Sequence, residues 1–309
     1  MKPSSPQKSD EPKNAALPPE FLRRIREIEI RARRVVNNVF SGEYHSAFKG
    51  RGMEYAESRP YQPGDDIRVM DWNVTARANA PFVKMFREER ELTLMLMVDM
   101  SASERFGSVE RFKSEVATEL CAALAFSAIK NNDKVGLIAF TDRIELFIPP
   151  KKGRSSVLRL IRDILFFKPE GRGTDIGATL DYLNMVVKKR AIVFLVSDFR
   201  AGGYASSLKA TARKHDLIAV PVIDPRETSL PDAGIVRMRD AETGEVVTVD
   251  TSDPLLRREY EESLRAESRE RDRLFALAGV DQVVIHSDKS YMEPLVKFFK
   301  AREKRYKLG

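Results

Sequence analysis

The chain has 309 residues, 42% of them hydrophobic and 8% aromatic, an ordinary globular composition with enough apolar side chains for one large or two modest domains. Its 53 Lys and Arg against 46 Asp and Glu give a formal charge of +7 and a pI near 9.4, which admits nucleic-acid, anionic-membrane or acidic-protein partners without choosing among them. A single cysteine, Cys121, excludes an intrachain disulfide framework, and with no apolar run of roughly 18 residues and no signal-peptide pattern the sequence predicts a cytoplasmic protein, peripheral membrane association being the alternative.

Residues 1–20, rich in Lys, Pro, Ser and Asp, carry too little apolar content to fold and lead into a helix from about Pro19 to Asn38. In that helix Leu22, Ile25, Ile28, Ala32 and Val35 keep helical spacing among six arginines, the pattern of an amphipathic helix on one edge of a core, with a membrane-surface or partner helix as the other reading. From Gly42 to Pro81, Gly50-Arg51-Gly52 and Gln62-Pro63-Gly64-Asp65-Asp66 punctuate a segment that reads as short strands and turns. Strands and helices then alternate. Strand 92–99 precedes a helix near 108–130; Lys134–Thr141 is a strand with a hairpin partner at Ile144–Ile148; a helix near 154–165, the loop Pro169-Glu170-Gly171-Arg172-Gly173-Thr174, a helix near 175–188 and strand Ala191–Ser197 follow. A helix near 205–214, strand Leu217–Ile223, a hairpin at 234–250 turning through Glu242-Thr243-Gly244, a charged helix near 254–277, strand Gln282–Ile285 and a helix from 290 complete the pattern. Such alternation predicts an α/β fold: a doubly wound, mostly parallel sheet with helices on both faces. The expected division is a tail over 1–20, a helix and turn-rich region over 21–88, and the α/β domain over 89–309.

The apolar run Leu92–Val98 ends in Asp99-Met100-Ser101-Ala102-Ser103, and in open α/β sheets ligands bind at the carboxyl ends of such strands. One carboxylate and two hydroxyls offered together suit a hard cation better than zinc. The loop before the helix at 175 adds Thr174, and the strand Ala191–Ser197 adds Asp198, so three loops could surround one cation. Each has a plain alternative, since Ser101 or Ser103 could cap the next helix and Asp198 the one after it.

With those residues in place, 92–200 resembles a von Willebrand factor A-type domain with a metal-ion-dependent adhesion site. The resemblance implies that Asp99, Ser101, Ser103, Thr174 and Asp198 hold magnesium, with manganese or calcium as alternatives, and that an acidic side chain of a partner protein completes the coordination. The string from Arg59 to Arg77, containing Tyr61, Gly64, Asp65, Asp66, Arg68, Asp71 and Trp72, resembles the signature of the bacterial family catalogued as "domain of unknown function fifty-eight", whose members are often encoded beside MoxR-type AAA+ ATPases. That resemblance implies a non-enzymatic module acting with such an ATPase on a client protein.

The signature also has a physical reading of its own. Pro63-Gly64 suits a turn corner, Asp65 and Asp66 can take exposed amides, Arg68, Asp71 and Arg77 could form ion pairs, and Trp72 reads as a packing anchor; a direct partner surface is the alternative. Other readings follow from what else the chain carries. Residues 297–307, with Lys297, Lys300, Arg302, Lys304, Arg305 and Lys307 among Phe298, Phe299 and Tyr306, could bind nucleic acid or be a terminal helix with a core face. Two carboxylates and magnesium would also suffice for a phosphoesterase. His45, His215 and His286 lack zinc-ligand spacing, Cys121 reads as core rather than nucleophile, and neither a phosphate loop of the Gly-x-x-x-x-Gly-Lys type nor a Gly-x-Ser-x-Gly elbow is present.

Overall fold

The computed structural model describes residues 19–35, 41–48, 54–87, 91–105, 107, 112–240 and 244–308. The expected tail over 1–18, the Gly50-Arg51-Gly52 turn and the tip of the 234–250 hairpin at 241–243 lie outside the described residues, as do the side chains of Leu22, His45 and Tyr306. In chain order the elements are α1 (Pro19–Val35), α2 (Ser41–Phe48), β1 (Glu54–Pro60), α3 (Trp72–Ala78), β2 (Phe82–Arg87), β3 (Thr93–Asp99), α4 (Lys113–Lys130), β4 (Lys134–Phe140), β5 (Ile144–Lys151), α5 (Arg154–Phe166), α6 (Ile176–Val186), β6 (Ile192–Ser197), α7 (Ala205–Lys214), β7 (Asp216–Ile223), β8 (Ile235–Arg239), β9 (Val246–Asp250), α8 (Pro254–Ala278), β10 (Asp281–Gln282), β11 (Ile285–His286) and α9 (Met292–Leu308).

The main sheet runs β10-β7-β6-β3-β4-β5, with β11 also on β7. Every pairing is parallel except β4 with β5, a hairpin on the far edge. The doubly wound, mostly parallel sheet with helices on both faces that the sequence predicts is thus the observed architecture. From central β3 the chain moves outward through β4 and β5, then returns to β6 on the other side, so β3 and β6 flank the point where strand order reverses.

The apolar run of β3 is continuous because both faces are covered. Leu94, Leu96 and Val98 face one core with Val116, Leu120 and Leu124 of α4 and Leu295 and Phe299 of α9; Met95 and Met97 face the other with Leu180 and Leu183 of α6, Leu208 of α7 and Phe275 of α8. Helix α4 is buried almost all round, which its alanines permit, and Cys121 lies inside it, its thiol pushed up to about 12 by burial. Helix α1 buries Ile28 and Ala32 in the first core while Arg31 pairs with Glu119 at 2.8 Å and Arg33 lies over the Phe126 ring, the arrangement of an edge-covering helix.

Two local expectations are corrected, and one open choice is narrowed. Ser41–Phe48 is a helix rather than turns, because Tyr44 and Phe48 pack with Phe299 and so stabilise a segment whose own sequence is a poor helix former. The strand expected at Gln282–Ile285 is two short pairings, Asp281 and Gln282 beside Ile218 and Ala219, then Ile285 and His286 beside Val222 and Ile223. In the C-terminal helix Phe298 and Phe299 are buried, Arg302 is buried between Asp216 and Asp281, Arg305 pairs with Asp281 and Lys297 with Glu293. Phe298 and Phe299 therefore serve as core rather than as a stacking surface for bases.

His215 carries a testable consequence of this packing. It is buried, its Nδ1 accepts the Ala191 N–H at 3.2 Å, and burial, with the charges of Lys214 and Arg190 behind it, lowers its pKa to about 4. Between the ordinary His pKa near 6.5 and 4, the unfolded chain takes a proton that the native fold refuses, so His215 removes stability as pH falls through that window. Asp99 and Asp133, raised to about 6, act with the opposite sign over the same range, so the comparison must be with a variant. His215→Asn, which keeps an acceptor near the Nδ1 position, should gain about 2–3 kcal/mol relative to wild type between pH 7 and pH 4, read by urea unfolding. A difference independent of pH would show that His215 takes up its proton in the native fold.

Candidate metal centre

Asp99 ends β3, and the register that sets Val98 opposite Val196 brings Ser197 beside it and Asp198 just past the edge of β6. The Ser197 hydroxyl donates to Asp99 Oδ2 at 2.7 Å, and the Ser101 amide donates to Oδ1 at 2.9 Å. Phe199 takes a left-handed conformation at φ 59°, turning the chain sharply after Asp198, while its amide donates to the Ser197 hydroxyl at 3.1 Å. Its ring is held 5.0 Å from Phe275, a packing contact that supports the strained turn.

The loop after β3 folds into a short 3-10 turn, Ala102–Arg105, and the Ser101 and Ser103 hydroxyls stand 3.0 Å apart. The Ser101 hydroxyl also favours the charged form of Asp99, and the Ser103 hydroxyl that of Asp198. None of these residues caps α4 or α7, which have Phe112 and Tyr204 at their N-caps. The Gly-rich loop meets the first loop through the Ala102 amide, which donates to the Arg172 carbonyl at 3.0 Å. Half-buried Thr174 directly precedes Asp175, the side-chain N-cap of α6. Glu145 fixes this loop by accepting the Gly171 amide at 2.7 Å and the Thr141 hydroxyl at 2.8 Å. A Cβ at Gly171 would lie 2.1 Å from Thr141 Oγ1, so only glycine fits there.

Three residues outside the sequence reading complete the cluster. Glu104 is buried, and carboxyl oxygens of Asp99, Glu104 and Asp198 all lie within 4.8 Å of one another. Lys113, at the start of α4, is fully buried; its Nζ donates to Asp198 Oδ2 and Glu227 Oε1, each at 2.9 Å, and stands 3.7 Å from Glu104 Oε1. Glu227 belongs to a capped turn after β7 and accepts the Asp224 amide at 2.9 Å through its other oxygen. Glu104 follows the Asp-x-Ser-x-Ser string directly, which was its one signal in the sequence; Lys113 and Glu227 are brought in by tertiary structure alone.

The electrostatics are those of carboxylates crowded away from water. Burial, reinforced by the charge of Asp198, raises Asp99 to about 6, and burial drives Glu104 well above the carboxylate range. Burial also acts to raise Asp198, but the Lys113 ammonium outweighs it and holds the carboxyl below its ordinary value. For Lys113, burial would favour the neutral amine, yet Glu104, Asp198 and Glu227 together keep the ammonium charged. Four buried carboxyls therefore share one buried cation. The donor set of carboxylate and hydroxyl oxygens suits a hard divalent ion, which would offset the remaining negative charge.

The signature segment is a separate structure, built on the antiparallel pair β1 and β2. Arg59 grips Asp65 through two nitrogens, at 2.8 and 2.6 Å, and Asp65 also accepts the Gln62 amide, closing a turn in which Gly64 has φ 108°. Asp71 is buried; it accepts the Ser58 hydroxyl at 2.7 Å and caps α3 through the Asn73 and Val74 amides. The Tyr61 amide donates to the Pro81 carbonyl. Two expectations change here. Arg68 pairs with its neighbour Asp66 on the surface rather than with Asp71, and Arg77 is exposed near the end of α3. Trp72 is 66% exposed at the first position of α3 and is not a packing anchor.

Among known proteins, the chain is 32% identical over 289 residues to "Uncharacterized protein Rv1480" of Mycobacterium tuberculosis, which covers 93% of this chain and 91% of that protein. A solved structure of an aerotolerance-related membrane protein from Bacteroides fragilis superposes with a TM-score of 0.46 at 18% identity, over 69% of this chain and 99% of that one. The conserved hypothetical protein BatB from Bacteroides thetaiotaomicron gives 0.44 at 18% identity, over 71% and 100%. Residues 57–270 match the family described as "Protein of unknown function DUF58", and the chain belongs to that family.

Proposed function

We propose that the chain is a non-enzymatic, divalent-cation-dependent protein-binding module, its metal held by Asp99, Ser101, Ser103, Thr174 and Asp198. The observation that carries this reading is the convergence of buried Asp99 and Asp198 carboxyls and two serine hydroxyls at the switch point of the sheet, with one lysine to balance them. Magnesium is the ion the hydroxyl-rich part of this set suits, with manganese or calcium as alternatives. When bound, such an ion supplies a Lewis-acidic position that an acidic side chain of a partner can occupy. The partner proposed is a MoxR-type AAA+ ATPase, with a client protein whose maturation or assembly the pair assists, in the cytoplasm or at the membrane surface. Among the described residues no helix is long and apolar enough to cross a membrane.

The test is a binding comparison between wild type and Asp99→Ala, each in Mg2+ and in EDTA, against a MoxR-type ATPase. Binding should be strong only for wild type in Mg2+, with the other three conditions at least tenfold weaker. Equal affinity in all four would sink the proposal. Turnover of a phosphate ester by wild type in Mg2+, lost in Asp99→Ala, would instead favour the phosphoesterase reading.

A further inference from the structure

We infer that Glu104 is a further ligand of the cation site, a third carboxylate beyond the five residues proposed above; the inference rests on that metal reading and extends it. The 3-10 turn Ala102–Arg105 folds back so that the Glu104 amide donates to the Ser101 carbonyl at 3.2 Å, which carries the Glu104 side chain inward rather than to solvent. The residue is 2% exposed, and among the described residues its Oε1 has no hydrogen-bond partner. Lys113 does not fill that vacancy, because its ammonium donates to Asp198 and Glu227 at 2.9 Å and leaves Glu104 Oε1 at 3.7 Å. A buried carboxyl oxygen left without a partner is costly. Carboxyl oxygens of Glu104, Asp99 and Asp198 lie within 4.8 Å of one another, a separation that one cation could bridge by modest closure.

The consequence is a more anionic site than two carboxylates and hydroxyls would make. Three carboxylates leave fewer positions to water and favour tighter binding, with manganese and calcium accepted alongside magnesium.

The experiment titrates the EDTA-stripped full chain with MnCl2 and with MgCl2 in a calorimeter, comparing wild type, Glu104→Gln and Asp99→Asn. Wild type should bind one ion, Glu104→Gln should bind at least fivefold more weakly, and Asp99→Asn should lose measurable binding. If wild type binds and Glu104→Gln is less than fivefold weaker, Glu104 is not a ligand and the five-residue site stands. If wild type binds neither metal, the metal reading falls and this inference with it. Melting in EDTA serves as the folding control: Glu104→Gln should melt no lower than wild type, since it relieves a crowded carboxylate. A Glu104 present only to hold Lys113 would give the reverse, a lower melting temperature in EDTA with metal affinity unchanged. Should the glutamine variant fail to fold, Glu104→Ala is held to the same fivefold criterion.

Discussion

Replacing Lys113 with methionine should destabilise the metal-free protein by about 3–5 kcal/mol, the usual cost of removing one partner from a buried ionic cluster. The ammonium is the one buried cation among Asp99, Glu104, Asp198 and Glu227, and its two short hydrogen bonds tie the loop after β6 to the turn after β7. Methionine fills much of the same volume, so the loss reports charge rather than a cavity. Two features separate this account from a loss of packing. The double variant Lys113→Met, Glu227→Gln should recover part of the stability, because one stranded carboxylate is gone, and saturating Mg2+ should lessen the damage of the single variant. If neither the second substitution nor Mg2+ restores anything, the role assigned to Lys113 as counter-charge is wrong. Urea unfolding of wild type and the two variants in EDTA and in Mg2+ measures all of this.

The second large effect is expected at Arg302, which fastens α9 to the sheet edge. Its guanidinium reaches Asp216 on β7 and Asp281 on β10, and it lies over the rings of Phe48, at 4.8 Å, and Phe298, at 5.8 Å. Arg302→Ala would take from Asp216 its ion pair, leave Asp281 with Arg305 alone and remove this stacking, costing about 3–5 kcal/mol. Arg302→Lys should recover little, since an ammonium cannot bridge two carboxylates in a plane while covering a ring. Thermal unfolding of both variants is the check, and a melting temperature within a degree or two of wild type for Arg302→Ala would overturn the assignment. This also bears on nucleic-acid binding. Deleting residues 300–309 would destroy the fold edge along with any basic surface, so loss of DNA binding after that deletion would carry no weight. Charge reversal at exposed Lys304 alone is the cleaner probe, with a salt-dependent loss of affinity as the sign of a nucleic-acid interface.

What the sequence revealed depended on whether burial followed from the chain's own pattern. The strands β3, β4, β6 and β7 are buried on both faces, so their apolar runs announced themselves, and Asp99 and Asp198 could be placed at the same sheet edge from strand alternation alone. Helix α2 could not be read, because Ser41, Gly42 and Ser46 weaken it locally and only Phe299 and Phe194 across the core make it stable. Trp72 was misread for the opposite reason. Its hydrophobicity argues for a core position, but Asp71 caps α3 from inside and so turns the next side chain outward. The buried carboxylate cluster was legible in Asp99 and Asp198 but not in the residues that surround them. Lys113 looks like any solvated residue at a helix start, and Glu227 lies 29 residues beyond Asp198 in a turn with no motif. Nothing local distinguishes them, since the low dielectric that gives them meaning is created by the packed sheet.

The measurement that bears most directly on the three-loop site is calorimetric titration of the EDTA-treated wild-type chain with Mg2+, repeated on Asp99→Asn and Asp198→Asn. The site described here predicts one bound ion per chain in wild type, a rise in melting temperature on binding, and loss of both in each variant. Absence of saturable Mg2+, Mn2+ or Ca2+ binding by the folded wild-type protein would contradict it, and would leave the Lys113 ammonium to balance these carboxylates without a bound ion.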